Sequence, residues 1–255
     1  MQIESEILEW LTALALFGGL VTALETCFRL GQRARKRHTE QPDQLATIQG
    51  AMLGLLALLL GFSFALVASR FSARADLIVD EANAIGTAWL RCDLLPDEQR
   101  NSLRVLLRGY LVQRMAFYEA KNAAAEEAAT KESGATQTRI WSIVVGAAKS
   151  SPALANQLLP PFNEMFDLYS TRLAAAHRHL PFMLMALLIV CSAVSTAAVG
   201  YGCGVAGKRN VVLTTALSFL IAAALWAILD MDHPTRGLIR VGQEPMLELQ
   251  KSFGK

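Results

Sequence analysis

Apolar residues in this chain are gathered into long blocks. Residues 7–28, 48–68, 182–203 and 211–229 each approach the roughly 20 residues a helix needs to cross a bilayer. The second block carries the most pattern. GAMLGLLALLLGFSFALVAS runs without proline into RFSARADLIVDEANAIGTAWL, so the spacing predicts one helix over 50–90. At helical periodicity Gly50, Gly54, Ala57, Gly61, Ala65 and Ala68 share one narrow stripe, and Leu, Met and Phe cover the rest. Past Arg70 the helix carries three faces. Arg70, Arg74 and Glu81 share one, Ile78, Ala82, Ile85 and Trp89 a second, and Asp76, Asp80, Asn83 and Thr87 a third.

Between the second and third blocks the pattern stays helical but turns amphipathic. Pro96 ends the long helix, and Asp97 can cap the next. That next helix places Leu103, Leu106, Leu107, Tyr110 and Phe117 on one face and Arg100, Arg104 and Arg108 on another. NAAAEEAATKES is polar on all sides, which predicts a solvated helix ended by Gly134. RIWSIVVGAAKS is short and apolar, to be packed inside a bundle or laid on the interface. Ser151-Pro152 reads as an N-cap with proline at the first helical position. Pro160-Pro161 breaks or kinks the chain before NEMFDLYSTRLAAAHRHL, a further helix. The pattern predicts an all-α integral membrane protein with four transmembrane helices and an extramembrane helical bundle inserted between the second and third. Its parts are residues 1–69 (two spans and a basic loop), 70–180 (the bundle), 181–230 (two spans) and 231–255 (a C-terminal tail).

Composition agrees with the blocks. The chain is 53% hydrophobic and only 18% charged, with a net charge of +2, which gives no footprint for a nucleic-acid partner. The four cysteines, Cys27, Cys92, Cys191 and Cys203, are isolated and form no metal or disulfide motif. The first block lacks a basic start, and Glu4, Glu6 and Glu9 precede it, so it reads as a retained span rather than a signal peptide. Arg29, Arg33, Arg35, Lys36 and Arg37 follow the first span, and Lys208 and Arg209 join the last two. Short basic loops stay in the cytoplasm, so both termini and the middle region are expected outside it. Trp10 and Trp226 then fall at the outer interface and Tyr201 at the inner one.

The candidate chemistry is sparse. The small stripe has two readings. It is either a close contact with a neighbouring helix, such as the first or fourth span, or a pore lining of Gly54, Ala57, Leu58, Gly61, Phe62, Phe64 and Ala65, with Leu58, Phe62 or Phe64 as a constriction. Beyond it, Asp76, Asp80 and Asn83 form a solvated face, a set of ion pairs with Arg100 and Arg104, or an acidic ring that concentrates cations. Arg70 and Arg74 form a basic ring or reach to the membrane edge. The balance leans to cations. Glu25, inside the first block, is expected to pair with Arg29 one turn on. Asn163, Glu164, Asp167 and Arg172 are expected to make a buried polar contact with the helix around Asp80 and Asn83. Asp230, Asp232 and His233 read as a turn fixed by Pro234 sooner than as a metal site. His177 and His179 point to different sides of their helix. GYGCGVAGK lacks the spacing of a phosphate loop. No catalytic triad, carboxylate pair or metal motif assembles, so neither an enzyme nor a cofactor is expected.

Three segments carry a family resemblance: LLLGFSFALVASRFSARADLIVDEANAIGTAWLRCDLLP, NEMFDLYSTRLAAAHRHLP and LDMDHPTRGLIRV. Together they resemble a family of mostly bacterial, bestrophin-like membrane proteins, distantly related to the pentameric bestrophin channels. The resemblance implies a homo-oligomer, a pentamer if the relation is close, in a bacterial inner membrane. It also implies a pore lined by the second helix, residues 48–69 here. The chain departs from true bestrophins in two ways. It shows no acidic calcium clasp, and its basic loops put the helical region on the opposite side. The resulting expectation is an ion channel. The alternative is a non-conducting membrane sensor or scaffold whose helical region binds a partner.

Overall fold

A computed structural model describes residues 2–35, 42–120, 123–232 and 238–253. Its secondary structure there is helical throughout, without a strand. The helices are α1 (Gln2–Arg35), α2 (Pro42–Arg91), α3 (Asp97–Glu119), α4 (Ala123–Ser150), α5 (Pro152–Ala176), α6 (Phe182–Ala206), α7 (Val211–Asp232) and α8 (Glu244–Ser252). A 3-10 turn, Cys92–Leu94, joins α2 to α3. Four of these helices, α1, α2, α6 and α7, are long and apolar enough to cross a membrane. The chain divides into two units. One holds residues 1–70 and 179–239, the other 71–178 and 240–255. Helix α2 runs unbroken through the division.

In the first unit α1 and α6 lie closest. Gly31 sits against the backbone of Tyr201, Gly200 against Leu24 and Gly204 against Phe28, so closely that a Cβ at any of the three would overlap a carbonyl oxygen. Small residues four apart let two backbones touch in lipid, where dispersion contacts rather than water exclusion hold helices together. Gly202, on another side of α6, leaves room for Gln49 of α2, whose amide donates to the Ala198 carbonyl (2.6 Å). Leu20, Leu56, Leu188, Ile221 and Leu225 fill the centre of this unit. Trp10 and Trp226 stack at 6.3 Å between ring centres.

The second unit is built around a separate core. Ile78, Ile85, Leu103, Leu107, Leu111, Ile140, Val144, Leu158 and Phe162 are all buried in it. Several sequence expectations change here. Gly134 ends no helix. α4 continues through it to Ser150, because Ala129, Ser133, Thr136 and Ile140 form one buried stripe that spans the glycine. The apolar stretch 139–150 is therefore the inner half of α4. Pro160 and Pro161 break nothing either. Two amide donors are lost, but Leu158, Phe162 and Met165 are buried on both sides and carry α5 through. Asp97 stands inside α3 rather than capping it. Pro96 is the N-cap, and Asp97 bonds Arg100 at 2.5 Å. Ser151 and Pro152 take the expected N-cap and first-turn places.

The C-terminal residues form no separate tail. Met246 and Phe253 are buried in the second unit, and the Phe253 ring stacks on Trp89 at 4.0 Å. Arg108 donates to the Phe253 carbonyl. A nine-residue helix so short has little stability of its own, so α8 is held by what it covers.

Candidate functional site

The site begins with the two faces of α2. Leu56, Ser63 and Val67 are buried, and this inward face holds α2 in the first unit. The opposite side carries the stripe. Gly54, Ala57, Leu58, Gly61, Phe62, Phe64 and Ala65 are all exposed, Phe62 at 68%. A Cβ built on Gly50, Gly54 or Gly61 meets nothing within 4 Å. The expected close contact with the first or fourth span is therefore absent among the described residues. Close packing belongs instead to Gly31, Gly200 and Gly204.

The open side continues at the same angular position along the helix. Ser69, Ser72, Asp76, Asp80, Asn83 and Thr87 are exposed and follow the stripe at helical spacing. The side thus changes from small and apolar to polar. Among the described residues neither Asp76 nor Asp80 makes an ion pair. Arg100 and Arg104, the expected partners, bond Asp97 and Asp93 instead (2.5 and 2.7 Å).

The two candidate arginines lie elsewhere on the helix. Arg74 is buried and turned onto the end of α5. Its Nε donates to the Ala175 carbonyl (3.2 Å) and its Nη2 to the Arg178 carbonyl (2.8 Å). A cation at a helix C-terminus satisfies otherwise orphaned carbonyls. Its charge is spent there and forms no displayed ring with the acids. Arg70 is half-buried, with its Nη1 inside the protein and no hydrogen-bond partner among the described residues.

Sequence reasoning missed the charged centre of the second unit. Glu81 is fully buried and accepts from two buried guanidiniums. Arg114 Nε reaches its Oε1 at 2.6 Å, and Arg172 Nη1 bonds its Oε2. Arg114 lies 4.4 Å from the centre of the Tyr169 ring, Arg172 4.2 Å from that of Tyr118, whose hydroxyl also accepts from Arg172 Nε (3.1 Å). Burial works against the Arg114 charge, but Glu81 more than offsets it and holds the guanidinium above its ordinary range. Burial also pushes the Tyr110 hydroxyl up; it accepts from Gln137 at 3.0 Å. Along α2 Glu81 shares the face of Arg70 and Arg74, so nothing local marks it as buried, and its partners come from α3 and α5. Of the polar residues expected on α5, Arg172 alone makes the buried contact with α2. Asn163, Glu164 and Asp167 face outward.

The other candidates resolve into structural bonds. Glu25 pairs with Arg29 (2.9 Å) and also with Arg209 (2.5 Å), which draws the two basic stretches together. Asp230 accepts from the amides of Leu238 and Ile239 (2.8 and 2.7 Å). Asp232 accepts from the Leu180 amide (3.0 Å) and lies 3.5 Å from His179. Both acids thus accept from backbone amides, Asp230 from the chain just beyond α7 and Asp232 from the segment that enters α6. His177 pairs with Glu126 at 3.2 Å, away from His179. Lys36, Arg37, His233 and Pro234 lie outside the described residues.

Four apolar helices of spanning length, closed at the α1–α6 crossing by glycine, define a multi-pass, all-helical membrane protein. The profile of the Bestrophin-like domain matches residues 13–246, nearly the whole chain, and the chain belongs to that family. No curated protein and no solved structure gave a match.

Proposed function

We propose that the chain is one subunit of an oligomeric ion channel whose pore is lined by α2. The observation that carries this reading is the open side of α2. It is small and apolar for the length of a membrane and polar beyond. A bare side built of small residues lets another helix approach its backbone closely in lipid. Copies of α2 around an axis would supply that partner and leave a narrow path between small side chains, with Leu58, Phe62 and Phe64 beside it. Five copies would follow if the assembly is that of the bestrophin channels.

Asp76, Asp80 and Asn83 would then ring the path outside the lipid, and the acids favour cations. At 50 residues, α2 is about 75 Å long, more than twice a hydrocarbon core of about 30 Å. Its second half therefore lies outside the lipid, together with a bundle that forms a vestibule. The basic ends of α1 and the α6–α7 turn favour the cytoplasmic side for that end of the spans. The chain acts as a conduit in this reading, and no reaction is assigned to it.

Flux from liposomes holding the purified protein tests the proposal. Salt-gradient-driven cation flux is expected, and it is expected to vanish in Gly61→Leu while the oligomer persists on sizing. An oligomer without flux for any tested ion would leave a sensor or scaffold instead.

A further inference from the structure

The end of α1 and the end of α6 enclose an open cleft of about 740 Å³, lined by Arg29, Gln32, Arg33, Arg35 and Gly207. That volume is in the range of sites that take a small-molecule ligand, well beyond a single ion or water. No acid lines it. Glu25, one turn before Arg29 on α1, is shared by Arg29 and Arg209. Among the described residues no acid pairs with Arg33 or Arg35. The helix dipole of α1 draws on their charge, but only to the extent of about half a charge.

Gly207 forms the floor. It takes the left-handed conformation (φ 71°), and a Cβ there would overlap the Arg35 guanidinium, so a side chain at this position would displace the Arg35 head group. The depth of the cleft identifies its ligand. From Trp10 to Phe28, α1 rises about 27 Å, close to the thickness of a hydrocarbon core. Arg29 therefore begins where the acyl region ends, and the cleft opens at the level of lipid headgroups.

We infer that this cleft binds the phosphate of an anionic phospholipid headgroup, held by Arg33 and Arg35 over Gly207. Guanidinium pairs bond phosphate oxygens in a fork, and basic pockets between membrane helices hold anionic headgroups. The inference needs the membrane assignment and does not need conduction.

The test uses the full-length protein in nanodiscs of phosphatidylcholine alone or mixed with phosphatidylglycerol. Native mass spectrometry reads the retained lipid, and thermal unfolding reads its effect. Retained phosphatidylglycerol and a raised midpoint are expected. Arg33→Gln with Arg35→Gln should weaken phosphatidylglycerol retention at least tenfold and leave phosphatidylcholine unchanged. Both side chains are exposed, so these variants keep the fold. Lys131→Gln with Lys149→Gln removes the same charge from α4 and should change nothing. Retention that survives the arginine changes, or falls equally with the lysine changes, overturns the site. Inorganic phosphate that raises the midpoint as much as the lipid, with no lipid retained, overturns the lipid as its ligand.

Discussion

At the scale of single residues, the second unit hangs on Glu81. One carboxylate holds two guanidiniums away from water, and removing it strands both charges. Glu81→Gln should cost about 3–5 kcal/mol in chemical unfolding of the purified protein, the usual loss when a buried pair is broken from one side. Asp80→Asn, one residue away but exposed and without an ion pair among the described residues, should stay within about 0.5 kcal/mol. The same variant should lower the cation-to-anion permeability ratio in bilayer recordings. An unchanged ratio would remove Asp80 from the ion path.

Tyr110 gives a pH test with a defined sign. Burial raises its hydroxyl above the ordinary value of about 10, so the folded state favours the neutral phenol. That contribution is complete below about pH 10 and is lost as pH rises toward the raised folded value. Tyr110→Phe, which cannot ionise, should move the alkaline unfolding midpoint, followed by circular dichroism, to higher pH.

At the scale of elements, glycine does two different things in the apolar helices. In α6 it allows contact: a leucine at Gly200 or Gly204 would overlap α1 backbone, and crosslinking between α1 and α6 should be lost in Gly204→Leu. In α2 the glycines are open, and the leucine of Gly61→Leu has room within one chain. Its secondary structure and thermal midpoint should be those of the unaltered protein.

The sequence made both sets of glycines visible but not their roles. Apolar runs locate spans because lipid demands them, and the four long apolar helices were legible. Which glycine meets which helix is a matter of tertiary pairing. GYGCG was read only against a phosphate loop, while the more regular stripe in α2 drew the packing reading. Gly134, Pro160 and Pro161 misled for a related reason. Local breaking rules count one residue's cost, whereas the buried stripe on either side outweighs it. The open polar face of Asp76, Asp80, Asn83 and Thr87 was legible, because period and charge suffice to define it. The Glu81 cluster was not, since three helices must fold before its charges meet.

At the scale of the whole molecule, the two units draw on separated parts of the chain, and α8 joins the second from far along the sequence. Truncation after Ile239 removes the ring that stacks on Trp89 and the carbonyl that Arg108 bonds. Limited proteolysis should then cut within 97–176 faster than in the full chain, while residues 182–232 stay protected in the membrane. Sidedness is tested by Ala124→Cys in a chain whose native cysteines are replaced. Labelling by an impermeant reagent in intact cells is expected, and labelling only after permeabilisation would reverse the topology.

Helix α2 also has a mechanical consequence. Between Gly61 and Gly86 it contains neither glycine nor proline, the residues at which helices hinge. On the proposed channel reading, α2 offers no glycine or proline within residues 62–85 at which a bend would close the path.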